Sequence, residues 1–515
     1  MVTVVAGVDS STQSCTVELR ALEDGQLLGT GRAPHPRTYP PVSEQDPDAW
    51  WTAFVQALGA ACRAAAREPH EIAALSVGAQ CHGLVALDEH DRPLRPAKLW
   101  NDTTSAPDTE RLIAQRSQAS WVEQVLVPMN PALTITKLAW LARTEPATFA
   151  RIRRICLPHD HLTFRLTGAH VTDRSDASGT GYYHAPEDRY RTDLLDEHVS
   201  DELPWKDLLP TVLGPQDRAG RVTAAAAERT GLSTDCVVGP GGGDQHLAAV
   251  GIGLRVGETA FSLGTSGVVI ATSPTPVVDP LARIDSVCDA TGGYLPLLCT
   301  LNCTKVTDHL ADLVGLDVAA FGELALGVEG TELTLVPYLD GERSPMRPDA
   351  SGILSGLRTG TTRAELAFAA FDGVVSGLTS AYEVLQEQLP HDVGSRVLAI
   401  GGGARSRAYR QLLADRTGRP VTTVDAPEAT ARGAAVQAAA VLAEDTVAAV
   451  RDAWAPATVT QTDPRPGRTG VPAAYTALRT AADGLWGPRA GRSTRPSDPA
   501  PTTTTVGHEP ATEER

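Results

Sequence analysis

The same strand–turn–strand unit occurs twice in this chain, once in each half, and it restricts the fold more than any other feature. Val4-Val5-Ala6-Gly7-Val8-Asp9 runs into Ser10-Ser11-Thr12-Gln13-Ser14, and an apolar-alternating run follows from Cys15 to Leu19. Thr259 to Leu263 runs into Gly264-Thr265-Ser266-Gly267, and Val268-Val269-Ile270 follows. Each copy reads as a hairpin with a small, hydroxyl-rich turn. Such turns offer backbone N–H groups and hydroxyls to an anion, and their small residues let a phosphate come close. One copy alone fits any β-hairpin. Two copies point to two related domains gripping one polyphosphate between them.

The length agrees with two domains. A chain of 515 residues is too long for one core, and each half is large enough to bury its own. Lys and Arg number 45 against 62 Asp and Glu, a net charge of −17. That surface argues against nucleic acid or an anionic membrane as main partners. It leaves nucleotides open, because these bind through local dipoles and metal ions. The chain opens on an apolar strand with no leader pattern, and no apolar stretch is long enough to span a bilayer, so a cytoplasmic protein is expected. The eight cysteines are scattered, which fits reduced thiols. Cys299 and Cys303 lack a second pair at zinc spacing, and Pro158-His159-Asp160-His161 lacks a third clear ligand.

The periodicity predicts α/β organisation. Strands are expected at 2–9, 15–20 and about 26–33, then a helix capped by Asp46 with Pro47 in its first turn. Trp50, Trp51, Phe54, Val55, Leu58 and Cys62 form its apolar face. A buried strand at Ile72 to Val77 ends in Gln80-Cys81-His82-Gly83, and ligands in α/β sheets gather at such ends. Helices dominate about 108–166. A strand at Cys236 to Val238 leads through a glycine run to a helix start at Gln245. The second half repeats the scheme, with helices around 303–327 and 362–389, a strand at Val397 to Ile400 and a helix over about 406–417. The expected domains are 1–245 and 246–485, and the Pro-, Thr- and Ser-rich tail 486–515 is expected to be disordered.

Three groups carry chemistry. Asp244 follows Gly241-Gly242-Gly243 at a strand-to-helix junction; it reads either as a base for a substrate hydroxyl or as a helix N-cap. Asp9 ends the first strand beside the hydroxyl-rich turn; it reads either as a Mg²⁺ ligand acting mostly through water or as an Asx-turn residue. Gly401-Gly402-Gly403-Ala404-Arg405-Ser406 is a glycine-rich turn after a buried strand, suited to packing against a base or ribose, and it is not a P-loop.

Taken together, these motifs resemble the FGGY carbohydrate kinases of the actin-like ATPase superfamily, nearest the xylulokinase branch. The resemblance covers roughly residues 3–485. It rests on Gly7 to Thr12, Ser43 to Pro47 with Trp50-Trp51, Gln80 to Gly83, Leu99-Trp100-Asn101-Asp102, Gly241 to Asp244, Ser262 to Gly267, Pro337 to Pro345 and Gly401 to Ser406. It implies two ribonuclease H-like domains around a deep cleft, sugar mainly on the first and ATP–Mg²⁺ mainly on the second. It implies Asp244 as general base and Asp9 near Mg²⁺. It implies Ser11-Thr12 and Gly264-Thr265-Ser266 as phosphate turns, and Gly402, Gly403 and Ser406 at the adenosine. Cys81, His82, Trp100, Asn101, Asp102 and Gln245 fall at sugar-binding positions. The implied reaction is phosphorylation of a pentulose, D-xylulose favoured, with another ketose or polyol (ribulose, erythritol, glycerol) or a catalytically weak sensor as alternatives. Relatives of this kind are often homodimers.

The chain also departs from that pattern. Thr16 stands where relatives carry Lys or Arg, and Arg20 on the same strand is the candidate replacement. Gln245 stands where xylulokinases carry Asn, Cys81 where Met is usual, and Ser11 where glycine is usual.

Overall fold

The computed structural model describes residues 2–390 and 392–486. It contains two seven-stranded sheets. The strands of the first are β1 (Val4–Ser10), β2 (Ser14–Ala21), β3 (Leu27–Pro34), β4 (Ile72–Ala79), β5 (Gly220–Arg221), β6 (Val237–Val238) and β7 (Gly242–Gly243). The second comprises β8 (Glu258–Leu263), β9 (Gly267–Ala271), β10 (Asp285–Cys288), β11 (Tyr294–Thr300), β12 (Arg396–Ile400), β13 (Val421–Val424) and β14 (Thr458–Thr462). Six helices matter below: α1 (Pro47–Ala65), α2 (Pro158–Thr167), α3 (Asp244–Gly251), α4 (Arg363–Gln388), α5 (Arg407–Thr417) and α6 (Ala429–Ala443).

The two sheets share one plan. In the first, β1, β2 and β3 form an antiparallel meander, and β4 and β6 continue the sheet in parallel on the other side of β1. In the second, β8, β9 and β11 form the meander, and β12 and β13 continue in parallel beside β8. This duplicated arrangement is the ribonuclease H-like pair of the actin-like ATPase fold. The repeated hairpin of the sequence is the first hairpin of each sheet.

Each strand reads as it does because of what covers it. β1 is buried along its whole length except Asp9, so it carries an apolar run rather than an alternating one. Successive β1 residues point to opposite faces. The face of Val8 and its neighbour Val17 is covered by α1, whose Trp50, Phe54 and Leu58 join them in one core. The Asp46 side chain caps α1 by accepting from the Asp48 N–H at 3.0 Å, and Pro47 opens the helix. In the second half, α4 starts with a capping box between Thr362 and Glu365 and lays Phe368, Phe371, Val374 and Leu378 against Phe261 and Leu263. Burying each such side chain fully contributes roughly 1.5–3 kcal/mol.

The other face of β1 meets α6, and α6 in turn packs on α3. Backbones touch here. A Cβ on Gly7 would lie 1.8 Å from the Ala431 carbonyl oxygen, and one on Gly433 1.8 Å from that of Leu247. Only glycine allows such approach, so the waist between the halves is an alanine-and-glycine seam. It places the first residue of α3, Asp244, beside the ends of β1 and β4, where α/β sheets bind ligands.

Several elements differ from expectation. The helical stretch around 303–327 is two helices, Thr304–Leu313 and Val318–Leu326, separated by Gly315 with φ of 69°. Strands β10 and β11 and helix α6 had no clear sequence signal. Trp486 is buried, its ring 5.2 Å from that of Tyr338, and so belongs to the packed structure. The rest of the tail lies outside the described residues. All eight cysteines are free. Among the described residues no cluster of three or more His, Cys, Asp or Glu is arranged to hold a metal, and no single helix is long and apolar enough to cross a membrane.

Candidate active site

Both hairpin turns reach one cavity. Thr12 from the first and Ser266 from the second line a space of about 250 Å³ between the halves. Cys81, His82, Trp100, Asp244, Gln245 and His246 line it from the first half, and Thr300 and Arg343 from the second. The expected sites on β1, β4, the α3 start and β8–β9 are therefore brought together by the fold.

Asp244 is the first residue of α3. Gly243, not Asp244, occupies the cap position. The carboxylate is walled in by protein although part of the residue reaches the cavity. It accepts from the Gln245 N–H at 2.8 Å and faces the Cys81 thiol at 3.4 Å. Burial pushes its carboxyl up to about 6, against the opposing pull of those two donors. Asp9 is the penultimate residue of β1 and accepts from the Ser11 hydroxyl. Burial pushes it up to about 7; Ser11 and Arg32 pull down, while Asp244 and Glu428 push further up. The site thus holds two carboxyls that repel one another, poised near neutral pH.

Next to Asp244, the pair Cys81 and His82 stands on a second layer. His82 adopts φ of 63°; its backbone N–H donates to Asp176 at 3.3 Å, and its carbonyl accepts from the Thr134 hydroxyl at 3.1 Å. Burial keeps the His82 ring neutral. Behind it, His159 on α2 sits 3.0 Å from Asp160 and 3.3 Å from Asp173. Burial opposes a charge on His159, but these acids outweigh it and raise the ring to about 9. The Pro-His-Asp-His stretch is thus a buried imidazolium–carboxylate support.

The other expected sugar residues divide. Trp100 is 46 % exposed, and its indole N–H donates to the Thr12 hydroxyl at 3.0 Å, tying the first turn to the cavity wall. Gln245 is exposed in the cavity. Asn101 lines an adjoining cavity, which shares Thr12 with the first, together with Gln13, His35 and Arg37. Asp102 does not reach either cavity. It is fully buried, accepting from the Ser43 N–H at 2.9 Å and from Lys98 Nζ at 3.1 Å. Burial opposes its charge, yet Thr104, Ser43 and Lys98 hold its carboxyl below the usual range. The expectation of a substrate contact there gives way to a buried ion pair.

On the other side, Gly264 closes the second turn by donating to the Ser266 carbonyl at 3.1 Å, while Thr265 accepts from the Cys303 N–H at 3.2 Å. The Gly402–Arg405 turn abuts this hairpin: Gly401 has φ of 82° and lies against the Leu263 backbone. Gly402 is exposed and Gly403 buried. The Ser406 side chain caps α5 by accepting from the Tyr409 N–H, at 3.5 Å.

One feature escaped the sequence reading. Arg343 pairs with Asp285 at 2.9 Å on the cavity wall. Its signal was a charged pair, Glu342-Arg343, inside an otherwise turn-like run. One expectation is overturned: Arg20, the candidate replacement, does not stand in for a cation at Thr16. Arg20 is buried beside Glu18 at 2.7 Å and donates to the Gly25 carbonyl at 2.7 Å, four residues down β2 and toward Arg432 of α6.

Two family models match the chain in tandem: the FGGY family of carbohydrate kinases, N-terminal domain, over residues 4–251, and the C-terminal domain over 259–442. The chain belongs to the FGGY family of carbohydrate kinases. It is an enzyme of that class, and its substrates are a small-molecule sugar and ATP. It is 42 % identical over 452 residues to the xylulose kinase of Streptomyces coelicolor, covering 88 % of this chain and 90 % of the relative. It is 32 % identical over 445 residues to that of Haemophilus influenzae, covering 84 % and 89 %. The crystal structure of xylulose kinase from Bifidobacterium adolescentis superposes with a TM-score of 0.83 at 36 % identity, over 93 % of this chain and 99 % of that one.

Proposed function

We propose that this enzyme transfers the γ-phosphate of ATP to a hydroxyl of D-xylulose, giving D-xylulose 5-phosphate. The observation that carries the reading is Asp244. Its carboxylate opens a helix inside a cavity that both hairpin turns reach, and a base must stand between sugar and phosphates. The names of the relatives supply the sugar.

Phosphoryl transfer asks little covalent chemistry of a protein; it asks for position, charge neutralisation and an in-line hydroxyl. Asp244 accepts the proton of the attacking hydroxyl. Cys81, His82, Trp100 and Gln245 hold the sugar, His82 being fixed by Asp176 and the His159 cluster behind it. Ser11 and Thr12 face the phosphates from the first half and Gly264, Thr265 and Ser266 from the second. Gly402, Gly403 and Ser406 lie at the adenosine. Asp9 suits Mg²⁺: one hard carboxylate beside the phosphate turn, with no multi-residue cage among the described residues, matches an ion held mainly by water and phosphate oxygens. Bound there, the ion neutralises charge on the transferred group.

Gln245 bears on specificity, because it is exposed in the cavity at the helix position next to the base. The test is kcat/KM for ADP release with D-xylulose, D-ribulose, L-ribulose, erythritol and glycerol. D-xylulose is expected to exceed the others by at least about tenfold, roughly 1.4 kcal/mol of discrimination. A higher value for another acceptor would keep the chemistry and replace the substrate.

A further inference from the structure

A kinase site built around Asp9 and Asp244, with the Glu428 charge acting on Asp9, must receive a polyphosphate, so it needs a cation facing the first turn. The register of the first sheet shows where one stands. Asp9 pairs with Thr16 across β1–β2, and Thr16 pairs with Arg32 across β2–β3. Directly opposed residues in antiparallel strands project to the same face. Asp9, Thr16 and Arg32 therefore form one row, spanning two strand spacings or about 10 Å. The middle member is short, neutral and buried.

Arg32 is placed to supply that cation. Its Nε donates to the Ser14 hydroxyl at 3.1 Å, at the end of the first turn. Its Nη1 lies 3.9 Å from the Glu428 carboxylate, just ahead of α6, and the side chain is 61 % exposed. The strand end that carries it is pinned to the turn: the His35 N–H donates to the Gln13 carbonyl at 2.8 Å, and the His35 ring Nδ1 lies 2.8 Å from the Ser11 carbonyl. Three other nearby cations are committed elsewhere. Arg20 is buried on Glu18, Lys305 pairs with Asp340 at 2.9 Å, and Arg343 pairs with Asp285. Arg37 faces the first turn from an adjoining cavity that shares Thr12 with the active-site cavity but includes neither Asp244 nor Ser266.

We propose that Arg32, on the third strand, supplies the positive charge that grips the β- and γ-phosphates at the first turn, with Thr16 as the gap it reaches across. This inference rests on the kinase reading but not on the identity of the sugar. Guanidinium suits the task because it stays charged and binds phosphate oxygens through two N–H groups at once.

The test uses Arg32→Ala, Arg32→Lys and the relocated pair Thr16→Lys with Arg32→Ala, each as the full-length enzyme. Binding of ATP–Mg²⁺ without sugar is measured by calorimetry, and turnover is measured with D-xylulose. Arg32→Ala is expected to weaken ATP binding and lower kcat/KM for ATP by roughly 10- to 100-fold, with the sugar KM little changed. Arg32→Lys is expected to lose less, and the relocated lysine to recover most of the loss. Unchanged ATP binding and turnover in Arg32→Ala would overturn the proposal. So would a loss that falls equally on sugar KM and melting temperature and that Thr16→Lys does not restore. Weaker ATP binding in Arg32→Ala, alongside a parent enzyme inactive on D-xylulose, would support Arg32 while refuting the sugar assignment.

Discussion

At the residue scale the site is governed by two carboxyls held above their ordinary range, Asp9 at about 7 and Asp244 at about 6, chiefly by burial. A base acts only when ionised, so kcat/KM for the sugar is expected to climb as pH rises through about 6 and then level off. Because the two groups repel, that limb belongs to the pair rather than to either alone. The same shifts act on stability with a definite sign. Between the ordinary carboxyl range and about pH 7 the folded state holds more protons than the unfolded one, so stability falls as pH rises through that window. Asp244→Asn removes one of the two charges. Its melting temperature is expected to gain on the parent between about pH 5 and pH 8; a constant difference would show that burial does not set the carboxyl. The residue types were legible before the structure: Asp9 and Asp244 stood after a strand and a glycine run. Asp102 was not, because its sequence neighbours do not reveal that Lys98 and Ser43 close over it. Nor was Arg32, whose meaning lies in a cross-strand register that no local pattern records.

Among the elements, the waist formed by α3, α6 and β1 is the most demanding. The strands and helices with clear periodicity, β1 to β4, α1, α4 and α5, were legible from apolar spacing and caps. Helix α6 was not, because it is buried nearly all round and built of alanine, so it shows no stripe. Strands β10 and β11 were hidden by their short apolar runs. The tight contact of Gly433 with Leu247 makes a sharp expectation. Gly433→Val forces a side chain into occupied space and is expected to cost about 1–3 kcal/mol or more, read as a lower urea midpoint. An unchanged midpoint would mean the two helices can part without loss.

The whole molecule was the most legible level, since a hairpin repeated in each half already called for two like domains about a shared anion. What the repeat could not convey is how the halves meet, because that depends on backbone approach at three or four small residues. With sugar proposed on one side and nucleotide on the other, closure about the waist would exclude water, which competes with the sugar for the phosphate. The radius of gyration from X-ray scattering is therefore expected to fall when D-xylulose and a non-hydrolysable ATP analogue are added together. No change would argue for a site assembled without domain motion.

The most direct measurement is a stoichiometric one: ADP and phosphorylated sugar formed by the parent enzyme and by Asp244→Asn, with ATP–Mg²⁺ and with or without D-xylulose. The parent is expected to form the two products one for one and only with sugar present, and Asp244→Asn to be slower by roughly 10²- to 10⁴-fold while still binding sugar. ADP release indifferent to D-xylulose, or an Asp244→Asn enzyme as fast as the parent, would contradict the assignment of this cavity and this carboxylate to sugar phosphorylation.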